Sequence, residues 1–156
     1  ISIIGNFPYN ISSQILFKVF ENRDKITEVV GMFQKEVAER VASIKGKKKG
    51  ILSIFLQAFY NIEYCFTVNE DVFTPPPKVK SGVIKMIRNE RKELECDEKK
   101  FIRIVKAGYN QRRKTLRNAL KSFSLNSNHE IDELLQKRAE QLDVKDFIII
   151  TKNVQQ

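Results

Sequence analysis

A short apolar run, Ser2-Ile3-Ile4, breaks off at Gly5 and is followed at once by Asn6-Phe7-Pro8-Tyr9, and this junction constrains the chain more than any other stretch. The β-branched pair predicts a buried strand ending at Gly5, which delivers Asn6 to Tyr9 to its carboxyl edge, where open α/β sheets place ligands. Pro8 fixes its own φ, pushes Phe7 towards an extended backbone and has no N–H, which leaves nearby carbonyl oxygens free to point at a ligand. An amide, a carbonyl and an exposed ring at one strand end form a grip for a flat base bearing an amine. The same tetrapeptide standing alone would read better as an Asn-initiated turn with a partly buried tyrosine.

The chain continues as alternating helix and strand. Ser12 or Ser13 is placed to cap a helix whose inner face carries Ile15, Leu16, Val19 and Phe20. Residues 26–33 read as a strand and 35–44 as a helix, which puts Gln34, Lys35 and Glu36 beside the first strand end. Glu36 there is explained as well by helix-dipole chemistry as by a ligand role. Residues 51–60 form an apolar helix leading into a strand at 62–68, with Phe55, Phe59 and Phe66 expected in the core. Pro75-Pro76-Pro77 makes a stiff extended segment next to Phe73, and residues 79–87 resume as a strand. The charged stretch 89–97 is the expected linker, and beyond it helices are predicted at 99–109, 115–123, 131–138 and 144–153. Ile148-Ile149-Ile150 has strand propensity, but its place after Asp143 favours the last helix.

Two clusters of cations stand out. Lys45-Gly46-Lys47-Lys48-Lys49-Gly50 is a glycine-bracketed loop expected to be solvated and able to neutralise phosphates without reading sequence. Arg112, Arg113, Lys114, Arg117 and Lys121 gather at an expected helix start, where positive charge opposes the dipole unless an anion arrives. Ion pairing of that cluster with Glu140 or Asp97 is the plainer alternative.

Asn6-Phe7-Pro8-Tyr9 resembles the Asn-(Ile/Leu)-Pro-aromatic signature of S-adenosylmethionine-dependent methyltransferases acting on the N6 amine of adenine. With Asn10-Ile11-Ser12-Ser13, Met32 to Arg40, Val72 to Ser81 and Asn110 to Asn118 following in order, the chain resembles the rRNA adenine dimethyltransferase family. The likeness is to the branch that modifies two adjacent adenosines near the end of small-subunit rRNA, and it runs to about Leu142. It implies an α/β fold: residues 1–90 as the C-terminal half of a Rossmann-like methyltransferase sheet with its last strand antiparallel, and residues 91–156 as a helical RNA-binding domain. It also implies Asn6, Pro8, Tyr9 and Phe73 as the catalytic set, Asn6 touching the S-adenosylmethionine cofactor, and Tyr9 and Phe73 sandwiching the base. Lys45, Lys47, Lys48, Lys49, Arg112, Arg113, Lys114 and Arg117 are the expected RNA contacts. The implied partner is small-subunit rRNA in a partly assembled 30S particle. Departures are Phe7 where Leu or Ile is usual and Gly108-Tyr109 where Ala-Phe is commoner.

Family members carry a glycine-rich loop and acidic residues for the cofactor ahead of this strand, and the chain starts at Ile1 with neither. The expectation is therefore a C-terminal part of a longer enzyme, inactive alone and liable to self-associate through an exposed sheet edge. A non-catalytic rRNA-binding or ribosome-assembly module, and a large-subunit rRNA methyltransferase of the antibiotic-resistance type, are the alternative functions.

Composition is consistent with this reading. At 156 residues and 42% hydrophobic content the chain can bury a core, and a formal charge of +9 favours a polyanionic partner, although simple solubility would also explain it. Cys65, Cys96 and the single His129 have no metal-like spacing, so no metal is expected. No apolar run is long enough to span a membrane, and a reduced cytoplasmic setting without membrane partners is the simplest account.

Overall fold

The computed structural model describes residues 1–44, 46–72 and 80–155. Four strands, β1 (Ser2–Asn6), β2 (Glu28–Gln34), β3 (Tyr60–Val68) and β4 (Ser81–Arg88), form one sheet in the order β1-β2-β4-β3. β1 and β2 are parallel, while β4 is antiparallel to both of its neighbours, as expected for the last strand. The carboxyl ends of β1, β2 and β3 and the start of β4 therefore share one edge, where Gln34 and Val68 both pair with Ser81.

The two faces of the sheet differ because side chains alternate along each strand. Val29, Phe33, Ile84 and Met86 point to one face and are buried. Helices α1 (Ser12–Glu21), α2 (Lys35–Ala42) and α3 (Ile51–Phe59) contribute Leu16, Val19, Phe20, Ala38, Val41, Phe55 and Phe59 to the same apolar cluster. Ile4, Val30, Met32, Val83 and Ile87 alternate to the other face, and Ile4 is 80% exposed there. Phe66 joins that open face instead of the core expected for it. A bulge between Tyr64 and Phe66 shifts the register, so that Phe66 pairs with Val83 and turns its ring to the opposite side.

The C-terminal part is helical: α4 (Glu98–Asn110), α5 (Leu116–Ala119), α6 (His129–Leu135) and α7 (Val144–Lys152). Capping fixes their starts. Asp97 accepts from the Lys100 amide, Asn128 from the Ile131 amide and Asp143 from the Asp146 amide, each at 2.9 Å. The triple isoleucine is helical as expected, with Ile148 and Ile150 buried. α5 is much shorter than the helix expected at 115–123, and residues 111–115 form a turn, so Arg113 and Lys114 do not share a helical face with Arg117 and Asn118.

The stretch 89–97 is strapped down despite its polarity. The Asn89 amide donates to the Phe59 carbonyl at 2.9 Å, Arg91 to the Ala58 carbonyl at 3.0 Å, and Leu94 is buried. Phe55 of α3 meets Phe101 of α4 at 6.3 Å between ring centroids, so the apolar cluster crosses residue 90 without a break.

Candidate functional site

The loop after β1 is held by contacts on both faces of the sheet. Phe7 turns inward and stacks on Phe33 at 4.9 Å, while its amide donates to the Met32 carbonyl at 3.1 Å. Gly31 makes room for this stack, since a Cβ there would lie 2.5 Å from the Phe7 ring. Asn6, by contrast, is exposed, and its carboxamide has no partner among the described residues.

Pro8 begins a short 3-10 turn through Tyr9–Ile11. Its carbonyl is not free as the sequence suggested: it accepts from the Ser12 hydroxyl at 3.0 Å and from the Ile11 amide at 3.3 Å. Ser12 opens α1 without capping it, because its buried hydroxyl is engaged by Pro8. Pro8 is exposed as a residue and lies two positions after Asn6, while its carbonyl is engaged by these two donors. Tyr9 is half-buried, and its hydroxyl is hydrogen-bonded to the Ser81 hydroxyl at the start of β4. Burial pushes the Tyr9 phenol above its ordinary ionisation range, so it stays neutral. The Lys35 amide donates to the Lys80 carbonyl at 2.9 Å, which fixes the start of β4 against α2. One sheet edge thus gathers an amide side chain, a polarised carbonyl and an aromatic ring. Phe73 and the triple proline lie outside the described residues, between this edge's β3 and β4 strand ends in sequence.

The basic residues separate into structural and available ones. Lys45 lies outside the described residues. Lys47 is exposed, and Lys48 pairs with Glu39, an interaction that pulls the Glu39 carboxyl below its usual range. Lys49 departs from the expected solvated loop: it is 1% exposed and its ammonium donates to the Leu142 carbonyl. Burial lowers its pKa, opposed by the charges of Asp143 and Asp146. Arg112 donates to the carbonyls of Lys47 and Lys49 and stacks over Tyr109, with 5.4 Å from its guanidinium carbon to the ring centre. Arg113 and Lys114 are exposed, and Arg117 pairs with Asp132 at 3.4 Å, not with Glu140 or Asp97.

The structure adds Arg40 to this group. It lies against Gly50 at the start of α3 and, with Arg112, lines a cavity of about 240 Å³ that also touches Ser13, Phe17 and Tyr109. Gly50 brings no side chain to cap the first amides of α3, although the Ser53 hydroxyl accepts from the Gly50 amide at 2.9 Å, so a positive helix end lies beside the two guanidinium groups.

The profile of the family described as ribosomal RNA adenine dimethylase matches residues 1–156. The chain belongs to this family. Among curated relatives, ribosomal RNA small subunit methyltransferase A of Cytophaga hutchinsonii is 63% identical over 151 residues, covering 96% of the chain and 58% of the relative. The Flavobacterium johnsoniae protein of the same name is 57% identical, covering 99% and 59%. The chain thus spans somewhat over half the length of these relatives. A crystal structure of a dimethyladenosine transferase from Plasmodium falciparum superposes with a TM-score of 0.79 at 26% identity, covering 96% of the chain and 64% of that structure. The 23S rRNA methyltransferase ErmE shares the fold, with a TM-score of 0.68 at 18% identity.

Ser12, Arg40 and Ser81 all lie in the stretches that carried the sequence resemblance. The partner of Ser81 was not legible, because Ser81 and Tyr9 are separated by 72 positions. Among the described residues no group of three His, Cys, Asp or Glu side chains is placed to hold a metal, and no helix is long and apolar enough to cross a membrane.

Proposed function

We propose that this chain is the base-receiving and RNA-gripping part of an S-adenosylmethionine-dependent enzyme that dimethylates N6 of two adjacent adenosines near the 3′ end of small-subunit rRNA. The observation that carries this reading is the exposed Asn6 carboxamide beside the Pro8 carbonyl and the Tyr9 ring at the carboxyl edge of β1. The N6 amine of adenine is a poor nucleophile because its lone pair is delocalised into the ring. The Asn6 side-chain oxygen accepts one of its N–H groups and the Pro8 carbonyl, on giving up its Ile11 or Ser12 donor, accepts the other; together they draw the nitrogen towards a tetrahedral arrangement and localise that lone pair. No strong base is needed; the effect is orientation and electrostatics. Tyr9 stacks on a base taken out of its helix, and Phe73 closes the opposite side. After one transfer the amine keeps one N–H, so a second can follow in the same pocket.

Asn6 suits the cofactor end of the site, because its carboxamide is exposed and without a partner among the described residues. S-adenosylmethionine, when bound, supplies the electrophilic methyl group. In this reading the chain, which spans 58% of the Cytophaga hutchinsonii relative, is inactive alone. The full protein acts in the cytoplasm on a partly assembled 30S particle. Lys47, Lys48, Arg113 and Lys114 meet phosphates, with Arg40 and Arg112 at the α3 start as a second contact. The uncovered sheet face and free β1 edge make the isolated chain prone to pair with a second copy.

The test is methyl transfer to 30S particles by the full-length protein carrying Asn6→Ala. Activity should disappear while particle binding persists. Retained activity, or loss of both together, would overturn the assignment.

A further inference from the structure

The Tyr9 ring is attached to the sheet at its far end. Its hydroxyl bonds the Ser81 hydroxyl, and that bond runs from the loop after β1 across the end of β2 to the first residue of β4. Ser81 is completely buried. Its backbone is held between Gln34 and Val68, and the preceding residue, Lys80, accepts from the Lys35 amide at 2.9 Å. The anchor is therefore rigid, whereas the ring belongs to a short turn with two free torsions of its own. A neutral hydroxyl pair adds little net stability, whereas one between a fully buried serine and the half-buried ring fixes where the far end of that ring sits.

We infer that Ser81 is a positioning residue that sets the angle and height of the Tyr9 ring, and so the plane in which the target adenine is presented to Asn6 and Pro8. The inference rests on the reading above and deepens it. Reaction geometry of this kind is sensitive to displacements of about 1 Å, because the acceptors must meet the amine while the ring holds the base. Tyr9 stays neutral at working pH, pushed up by burial, so its hydroxyl remains able to donate to Ser81.

The experiment is a double-mutant cycle in the full-length protein with Ser81→Ala, Tyr9→Phe and the two combined. Methyl transfer to 30S particles is measured as kcat and KM, and base stacking by the fluorescence of 2-aminopurine placed at the target adenosine. Each single variant removes the same bond from one end and keeps the aromatic face. Both should lower kcat about tenfold with KM unchanged within about twofold, the combined variant should lose no more than either alone, and 2-aminopurine quenching should weaken in all three. Losses that multiply, a Ser81→Ala protein with wild-type kcat and quenching, or an effect confined to KM would overturn the positioning role. Tyr9→Phe changes a half-buried turn residue, so it reports even where Ser81→Ala misfolds. A wild-type protein without methyl transfer would instead sink the enzymatic reading, while non-additive melting temperatures across the cycle would still register the tie.

Discussion

Arg112 donates to the carbonyl oxygen of Lys47 at 2.9 Å and also reaches that of Lys49, so one cation of the basic cluster organises the backbone of the other. Arg113, its neighbour, is exposed and has no ion-pair or hydrogen-bond partner among the described residues. Adjacent arginines thus have separable effects. Arg112→Ala should lower stability by about 1.5 kcal/mol, the low end of the range for hydrogen bonds from a charged group because Arg112 is exposed, as measured by urea denaturation. Arg113→Ala should leave stability unchanged and reduce the salt slope of RNA binding by about one. An equal loss of stability in both variants would contradict this division.

Lys49 gives a pH signature. Its folded pKa is lowered by burial, so between that value and the ordinary lysine range the unfolded chain binds more protons than the folded one. Stability therefore gains from this group as pH rises through that window, and is lowest below it. Lys49→Met removes the gain while leaving the Leu142 carbonyl without its donor. Melting curves from pH 7 to 10.5 should show the difference between wild type and variant widening in favour of wild type as pH rises; parallel curves would refute it.

Gly31→Ala should disturb the candidate site from within the sheet. The added methyl would lie 2.5 Å from the Phe7 ring and 2.7 Å from that of Phe33, so the stack beneath Asn6 must move. Overpacking of this kind costs about 1–3 kcal/mol. In the full-length protein methyl transfer should fall further than the stability loss explains, assayed at a temperature where the variant is fully folded.

Tyr109→Phe should stabilise the chain. The Tyr109 hydroxyl is buried without a hydrogen-bond partner among the described residues, and burial raises its pKa. Removing an unsatisfied polar atom while keeping the ring against Phe147 and Arg112 should raise stability by about 1 kcal/mol, visible as a higher melting temperature. A lower one would mean that the hydroxyl has a partner in solution.

Ile4 tests self-association. It is 80% exposed on the open sheet face of an edge strand. Sedimentation of the isolated chain should show concentration-dependent association that Ile4→Glu weakens at unchanged secondary structure. A chain that stays monomeric at high concentration would rule this out.

Much of the architecture was legible because apolar periodicity acts locally. It placed α4, α6 and α7, although it did not single out the caps Asp97 and Asn128. The first strand formed where expected but runs to Asn6 instead of Gly5, and none of its residues is buried, because this is an edge strand with one open face. What escaped depends on events between distant segments. The bulge that turns Phe66 outward is set by pairing with β4, and the burial of Lys49 is set by a carbonyl 93 positions away. The Pro8 carbonyl was expected to be free because proline lacks a donor of its own, yet Ser12, four residues later, supplies one. Composition marks a lysine as soluble and a serine as neutral, and neither label predicts a residue whose partner is decided by topology.

The insertion of β4 between β2 and β3 also sets an order of events during synthesis. β2 cannot acquire its second neighbour until residues 81–88 have left the ribosome, well after β3 has been made. Until then Tyr9 has no Ser81 to hold it, and the edge that β4 will occupy stays open to other strands. A nascent chain stalled before β4 would carry every residue of the Asn6 to Tyr9 motif in an unfastened form, so the grip on the base is completed among the last features of the sheet, however early its residues are translated.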